Sequence, residues 1–104
     1  MADDIEIQRV LVVGTAHMTR SDSRLLEGGG YSRTYLKWEH GYWIWIPSGQ
    51  NSAADFADVR ADALMAGMSE AFVSMLAKAR DHGVEWLRFD SDGPTLDGQP
   101  TFNW

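Results

Sequence analysis

Two carboxylates near the end of the chain are the residues best suited, by type and spacing, to do chemistry. Asp90 and Asp92 follow the apolar segment Leu87-Arg88-Phe89 and are separated by one serine. One carboxylate can attack an electrophile while a neighbouring acid protonates the leaving group. His17, which follows another apolar run, is the candidate for a general base. One hypothesis is therefore a small hydrolase-like enzyme that uses His17 with Asp90 and Asp92.

The segment from Leu87 to Leu96 resembles the first motif of haloacid-dehalogenase-type phosphatases. That resemblance implies Asp90 as nucleophile and Asp92 as acid/base, with magnesium. The chain departs from the pattern because Pro94 precedes Thr95 and only twelve residues follow Asp92. They leave no room for the lysine and the later acids of that site, so we interpret the resemblance as coincidental. The alternative prediction is a strand end followed by Asx and proline turns, with solvated carboxylates.

Ligands for a metal or a phosphate group are not grouped in this sequence. There is no cysteine, and His17, His40 and His82 lie in three separate segments without zinc-ligand spacing. Gly28-Gly29-Gly30 lacks the lysine of a phosphate-binding loop. The sequence therefore predicts no metal site and no cofactor. It favours a structural role for His17 over a catalytic one.

Size and charge narrow the classes of partner. The 104 residues predict one domain, residues 1–104. Fifteen acids against nine bases give a net charge of −6, which argues against direct nucleic-acid binding and is compatible with a basic protein partner. No apolar run approaches the ~20 residues of a membrane span, and the first residues are acidic rather than signal-like. We expect a cytoplasmic protein, whose oligomeric state the sequence leaves open.

The first third of the chain predicts a strand and a short helical turn. Ile5 to Val13 ends in a near-continuous apolar run, typical of a strand buried on both faces, and Gly14 ends it. Ser21 or Asp22 could cap a single helical turn that ends at Glu27. The three glycines that follow break it.

A β-hairpin and a long helical region account for most of the remainder. The hairpin strands are Arg33 to Glu39 and Tyr42 to Ile46, joined by a turn in which Gly41 takes a positive φ. From Ser52, with Asp55 in a weak capping box, the chain is helical up to His82. Gly67 interrupts the helical region without shifting its apolar stripe, so one kinked helix and two helices both remain open. The stripe consists of Leu64, Met68, Ala71, Phe72, Met75, Leu76 and Ala79.

Val84 to Phe89 is the predicted last strand. The connection from Ile46 through the helical region is long enough for a right-handed parallel crossover. Together the elements predict an α+β fold, a single mixed β-sheet of about four strands with one main helical segment packed on one face.

Five tryptophans are unusual in a chain of this length. Most of them are expected in the core. Trp43 and Trp45, however, lie on the opposite side of their strand from Tyr42, Ile44 and Ile46, so either that strand is covered on both faces or these two form an exposed contact patch. Phe102 and Trp104 are expected to fold back against the sheet.

Three short blocks also carry a family resemblance, Val12 to Thr19 near the start and Leu87 to Pro94 and Pro100 to Trp104 near the end. They resemble a small domain family of unknown function with a Thr-Ala-His strand exit and a Phe-Asp-x-Asp-Gly segment followed by Pro-x-x-x-Trp. The resemblance covers nearly the whole chain. It implies an accessory protein of bacterial plasmids or phages.

The favoured hypothesis is a non-enzymatic protein-binding protein, such as an inhibitor of a host defence complex comparable to an anti-CRISPR protein. Its partner would be a protein, such as a basic nucleic-acid-binding complex, held by acidic and aromatic surface contacts. The predicted contact residues are Trp43, Trp45, Asp90, Asp92 and Asp97.

Overall fold

The computed structural model describes residues 6–47 and 52–103, with side chains from residue 56 onward in the helix that begins at Ser52. Its elements are β1 (Val10–Gly14), a 3-10 turn (Thr15–His17), α1 (Arg20–Glu27), β2 (Tyr35–Trp38), β3 (Gly41–Trp45), α2 (Ser52–Met65), α3 (Glu70–Asp81) and β4 (Trp86–Asp90). The strands form one mixed four-stranded sheet in the order β1-β4-β3-β2, which confirms the predicted α+β fold. None of the described helices is long and apolar enough to cross a bilayer.

β4 lies inside the sheet, parallel to β1 and antiparallel to β3. The parallel crossover expected after the hairpin is therefore wrong. The helical region is divided in two, so the chain returns to the end of the sheet that it left, and Ile46 N–H donates to Glu85 O at 2.8 Å beside the start of β4. The parallel neighbour of β4 is instead β1, from the other end of the chain.

The first strand is shorter and less covered than its apolar sequence suggests. It begins at Val10, because residues 6–9 form no strand, and Ile5 lies outside the described residues. β1 is an edge strand in which Val13 is buried but Val10 and Val12 are only half-buried. The prediction of burial on both faces is therefore wrong.

Gly67 separates two helices. Its φ is +94°, and Met68 N–H donates to Ala63 O at 3.0 Å while Gly67 N–H donates to Leu64 O at 3.1 Å. This pair of bonds is the glycine-terminated helix end known as the Schellman motif. α3 then starts anew with Ser69, whose side chain accepts from Phe72 N–H. The predicted capping pair of Ser52 and Asp55 lies outside the described side chains.

The first helix has a full capping box rather than a cap at residue 21 or 22. Thr19 is its N-cap, its side chain accepts from Asp22 N–H, and the Asp22 carboxylate accepts from Thr19 N–H. The backbone N–H groups of Thr19 and Asp22, which have no acceptor within the helix, are both hydrogen-bonded in this way. The helix extends over the two turns of Arg20–Glu27 instead of the single turn expected.

The core lies between one face of the sheet and the helices. Phe89 of β4 stacks on Phe72 of α3 with ring centroids 5.8 Å apart. Tyr42, Ile44 and Leu87 bury on the same side. Residues that alternate with these point away from the helices, so four of the five tryptophans lie outside the core cluster, contrary to the prediction for most of them. The fifth, Trp104, lies outside the described residues.

The hairpin closes as predicted through the turn residues Glu39 and His40. Gly41 has a φ of +153°. A Cβ atom there would lie 1.8 Å from the carbonyl oxygen of Phe89, so the close approach of β4 requires glycine at this position.

Tyr31 makes the free energy of unfolding depend on pH in the alkaline range. Burial raises the pKa of its phenol to about 12, and the hydroxyl has no hydrogen-bond partner among the described residues. Since the unfolded phenol ionises near pH 10 and the folded one later, the free energy of unfolding falls as pH rises through this window, by about 2 kcal/mol at about pH 12.

We therefore expect Tyr31→Phe to be at least as stable as the wild type at neutral pH, because removing an unpaired buried hydroxyl costs little. Its advantage should grow by about 2 kcal/mol between about pH 9 and about pH 12. Urea unfolding of both proteins across this range measures the difference, and parallel pH profiles would contradict the assignment.

Candidate functional site: an uncovered tryptophan face

The sheet face opposite the helices carries an aromatic cluster, which we call the tryptophan face: Trp38, Trp43, Trp45, Trp86 and Arg88. Strand register places Trp45 beside Trp86 and Trp43 beside Arg88. The core cluster draws on all three helices and contains none of these residues. No described helix adds a core residue on this side of the sheet, and the segment before β1 reaches it through Gln8, whose Oε1 accepts from Trp86 Nε1 at 2.8 Å.

The aromatic rings of this face hold one another in place. Trp86 meets Trp45 and Trp43 edge-to-face, with centroids 5.0 Å and 5.9 Å apart. The guanidinium of Arg88 lies 5.2 Å from the Trp43 ring centroid and 5.6 Å from that of Trp38. These are the distances of edge-to-face pairs and of cation–π contacts. The cluster is preordered, so little side-chain entropy remains to be lost when a partner covers it.

Exposure is highest at the β2 side of the tryptophan face. Trp38 is 37% exposed, and its neighbour Leu36 is 55% exposed. Trp43, Trp45 and Trp86 are half-buried, because each shields the next. The alternation in the sequence thus placed Trp43 and Trp45 together on one side of their strand, and the structure shows that this side faces away from the core. Trp38, Trp86 and Arg88 were missed as contact residues. Trp38 is placed there by the predicted hairpin, whereas Trp86 and Arg88 are placed there by the pairing of β4 with β3, which has no local signal.

His17 is fully buried, and both of its ring nitrogens bind backbone of the C-terminal segment. Nδ1 lies 2.8 Å from Pro100 O, and Leu96 N–H donates to Nε2 at 2.8 Å. Because Nε2 accepts this hydrogen bond, the ring is the neutral tautomer that donates from Nδ1 to Pro100 O. A nitrogen that accepts a permanent backbone bond cannot serve as a general base without breaking it. The geometry favours the structural role.

The ends of β1 and β4 lie side by side, as the hydrolase hypothesis would require, without forming a catalytic group. Gly14 at the end of β1 is paired with Asp90 at the end of β4. The Asp90 carboxylate and the His17 imidazole have different partners: Asp90 Oδ1 accepts from Asp92 N–H at 2.9 Å, and its Oδ2 lies 3.6 Å from Arg88 Nη2. The Asp90 bond to Asp92 is the Asx turn that the sequence predicts.

The remaining acids of this region are solvated. Asp92 and Asp97 are both exposed, on the turns that follow β4. Asp90, with a side chain 14% exposed, is the internal member of the three. Of the three acidic residues predicted to contact a partner, Asp90 forms the turn, and Asp92 and Asp97 are exposed and accessible to a partner.

The C-terminal segment returns to β1 mainly through backbone bonds. Gly14 N–H donates to Pro94 O, and Phe102 N–H donates to Ala16 O, both at 2.8 Å. Phe102 is 36% exposed and lines a cavity with Thr15 and Ala16, so it returns to the end of β1 without joining the core cluster. Leu96 is the side chain of this segment that packs on the core. Trp104 lies outside the described residues.

These bonds join the blocks that carry the sequence resemblance, the Thr-Ala-His strand exit and the C-terminal segment. A family model described as "Family of unknown function (DUF5983) C-terminal domain" matches residues 10–104. The chain belongs to this family. The predicted membership of a small domain family of unknown function is confirmed. No curated protein and no solved structure matches the chain.

The DUF5983 match begins at the first residue of β1, so the tryptophan face and the His17 anchor all lie within the family domain.

The domain also contains a buried carboxylate, that of Asp22, which the sequence suggested only as a possible helix cap. Asp22 is 1% exposed and accepts from Thr19 N–H, from Ser69 N–H at 2.7 Å and from Ser69 Oγ at 2.5 Å. It therefore joins the N-termini of α1 and α3. The Thr-x-x-Asp spacing signals the first half of this arrangement; the second half has no local signal.

Neither of two cavities in the described part of the chain is lined by His17, Asp90 or Asp92. One of about 360 Å³ is lined by Arg33, Thr34, Trp45, Pro47 and Val59. Another of about 150 Å³ is lined by Thr15, Ala16, Phe102 and Asn103. Among the described residues, no three His, Asp or Glu side chains are placed to hold a metal ion together.

Proposed function

We propose that this domain is a non-enzymatic protein-binding module whose contact surface is the tryptophan face. The observation that carries the proposal is the placement of Trp38, Trp43, Trp45 and Trp86 on a sheet face that no described helix covers. A monomer of this size rarely leaves a contiguous aromatic surface open unless something binds it.

The residue types favour a protein partner. Tryptophan and arginine dominate the energetic centres of protein interfaces, where single truncations cost about 2 kcal/mol or more. Here they are adjacent, with Arg88 between Trp38 and Trp43. Because the rings already pack on one another, partner contacts would add apolar burial without much further ordering.

Charge supports a partner with a basic rim. The positive charge of Arg88 is partly offset by Asp90, while Asp92 and Asp97 remain exposed on the turns after β4. The net charge of −6 would speed encounter with a basic protein and would repel nucleic acid. A basic nucleic-acid-binding complex fits this description, bound by its protein surface.

The biological setting is part of the same proposal. We propose a cytoplasmic accessory protein of a bacterial mobile element, acting as an inhibitor of a host defence complex by covering part of its surface. Its small size, its acidity and the resemblance of its terminal blocks support this setting. The occupied nitrogens of His17 speak against the hydrolase alternative.

The test compares baits that differ on the tryptophan face. Purified wild type and a Trp43→Gln/Trp86→Gln double variant are used to recover partners from a bacterial lysate, and recovered proteins are identified by mass spectrometry and titrated by calorimetry. We expect the double variant to bind the recovered partner at least about a hundredfold more weakly. Met65→Gln is the matched control, since Met65 is 87% exposed on α2, outside the tryptophan face, and should bind like the wild type.

Circular dichroism must show that the double variant is folded. If a folded double variant recovers the same partners with unchanged affinity, the tryptophan face is not the contact surface. Asp92→Asn/Asp97→Asn should mainly slow association and reduce its salt dependence, because exposed rim charges act on encounter more than on the bound state.

A further inference from the structure

The outer edge of β2 presents backbone groups that the sheet does not use. Trp45 N–H donates to Thr34 O at 3.1 Å across the hairpin. Since bonded and non-bonded pairs alternate along an antiparallel ladder, Leu36 also bonds to β3, whereas the N–H and C=O of Tyr35 and Lys37 point outward. No bond from these outward groups to another described residue is present.

The two edges of the sheet differ in cover. At the β1 edge, Gly93 and Pro94 lie beside the last two residues of the strand, where Gly14 N–H donates to Pro94 O. At the β2 edge no described segment does so, and Leu36 and Trp38 are exposed. An open edge with exposed apolar side chains is a template for pairing with another strand.

We propose that β2 pairs antiparallel with β2 of a second copy of this chain, about a twofold axis at Leu36. In this register Tyr35 lies opposite Lys37 of the second copy, so the outward N–H and C=O groups of both residues are satisfied reciprocally. Leu36 meets its own copy at a non-hydrogen-bonded position, where side chains approach most closely.

Charge selects this register over its neighbours. It places Arg33 opposite Glu39 of the second copy, and the twofold axis repeats that pair. The Glu39 side chain is 82% exposed beside His40, whose Nε2 lies 3.3 Å from Glu39 Oε1. Arg33 binds Asp62 Oδ2 through its Nε at 2.7 Å, so its two terminal nitrogens are the ones that would meet Glu39 of the second copy. Moving the axis to Lys37 would set Lys37 against itself, and moving it to Tyr35 would set Arg33 against Lys37. Like charges directly opposite are destabilising, so both shifted registers are disfavoured.

The pairing would join the two four-stranded sheets into one and place the two tryptophan faces on the same side. Because a single pair of short strands buries less than a standard interface, we expect a dissociation constant on the order of 10–100 μM. This dimer does not depend on the proposed protein-binding function, and its test uses no other protein.

Sedimentation equilibrium of the full chain over a concentration series tests the proposal. The wild type should shift from the mass of one chain to the mass of two. Lys37→Pro removes an outward N–H and leaves the β2–β3 ladder intact, so we expect its dissociation constant to rise at least about tenfold. Lys37→Ala, which keeps the N–H, is the matched control and should still dimerise.

A wild type that stays monomeric up to about 1 mM would overturn the proposal. So would a Lys37→Pro variant that dimerises as strongly as Lys37→Ala. If Lys37→Pro fails to fold, amide exchange of the wild type decides: the amides of Tyr35 and Lys37 should become protected as concentration rises, while those of Leu36 and Trp38 stay constant. Concentration-independent exchange at Tyr35 and Lys37 would also overturn it.

Discussion

Replacing Asp22 by alanine is expected to lower the free energy of unfolding by about 4 kcal/mol. The carboxylate is buried and accepts from Thr19 N–H, Ser69 N–H and Ser69 Oγ. Without it, these donors stay buried or half-buried with no acceptor, and the N-terminus of α1 loses half of its capping box. Urea denaturation followed by circular dichroism measures the loss.

Asp22→Asn should fall between alanine and the wild type. An amide keeps only one acceptor oxygen. Its NH₂ group would face N–H and O–H groups from which the second carboxylate oxygen of Asp22 accepts hydrogen bonds. Asp58→Ala is the matched control, because Asp58 is an exposed carboxylate on α2, and its loss should change stability by less than about 0.5 kcal/mol. Equal effects of Asp22→Ala and Asp58→Ala would show that Asp22 does not join the two helices energetically.

Replacing His17 by alanine should cost about 3 kcal/mol and should release the C-terminal segment. The ring is fully buried and bonds to both Leu96 N–H and Pro100 O. Its removal takes away the partner of both backbone groups and opens a cavity. If His17 anchors the C-terminal segment, its loss should act mainly on that segment. Amide hydrogen exchange at Leu96 and Phe102 should therefore accelerate more than exchange in α3. Limited proteolysis should then cut between Pro94 and Asn103.

His82→Ala serves as the control for the histidine substitution. His82 is exposed at the end of α3, so its removal should leave the protection of Leu96 unchanged. If His17→Ala lowers stability while Leu96 and Phe102 remain as protected as in the wild type, His17 is an ordinary core residue and not the anchor of this segment.

The hydrogen-bond partners of His17 could not be predicted from the sequence around it, because they lie about 80 residues away along the chain. The sequence places it at a strand exit, and β1 and β4 do end side by side as a shared site would require. Whether the imidazole meets carboxylates or backbone depends on the path of residues 93–103, which has no periodic pattern. The structure directs that path over His17, and both nitrogens are thereby occupied.

Local patterns determined several features correctly. Alternation within Tyr42 to Ile46 separated the two tryptophans from the core side chains, because successive side chains of a strand point to opposite faces. The apolar stripe identified the buried side of α3, and the Asp90–Asp92 spacing identified an Asx turn. Each of these depends on neighbours within a few residues.

Only the tertiary structure decided which strands are neighbours, and this created the tryptophan face. Trp86 and Arg88 come from β4, and they meet β3 because β4 inserts between β1 and β3, whereas Trp38 comes there through the β2–β3 hairpin. The bond from Ser69 to Asp22 is likewise a long-range outcome. Strand order is set by how the whole chain buries its apolar surface, and no short window of sequence contains that information.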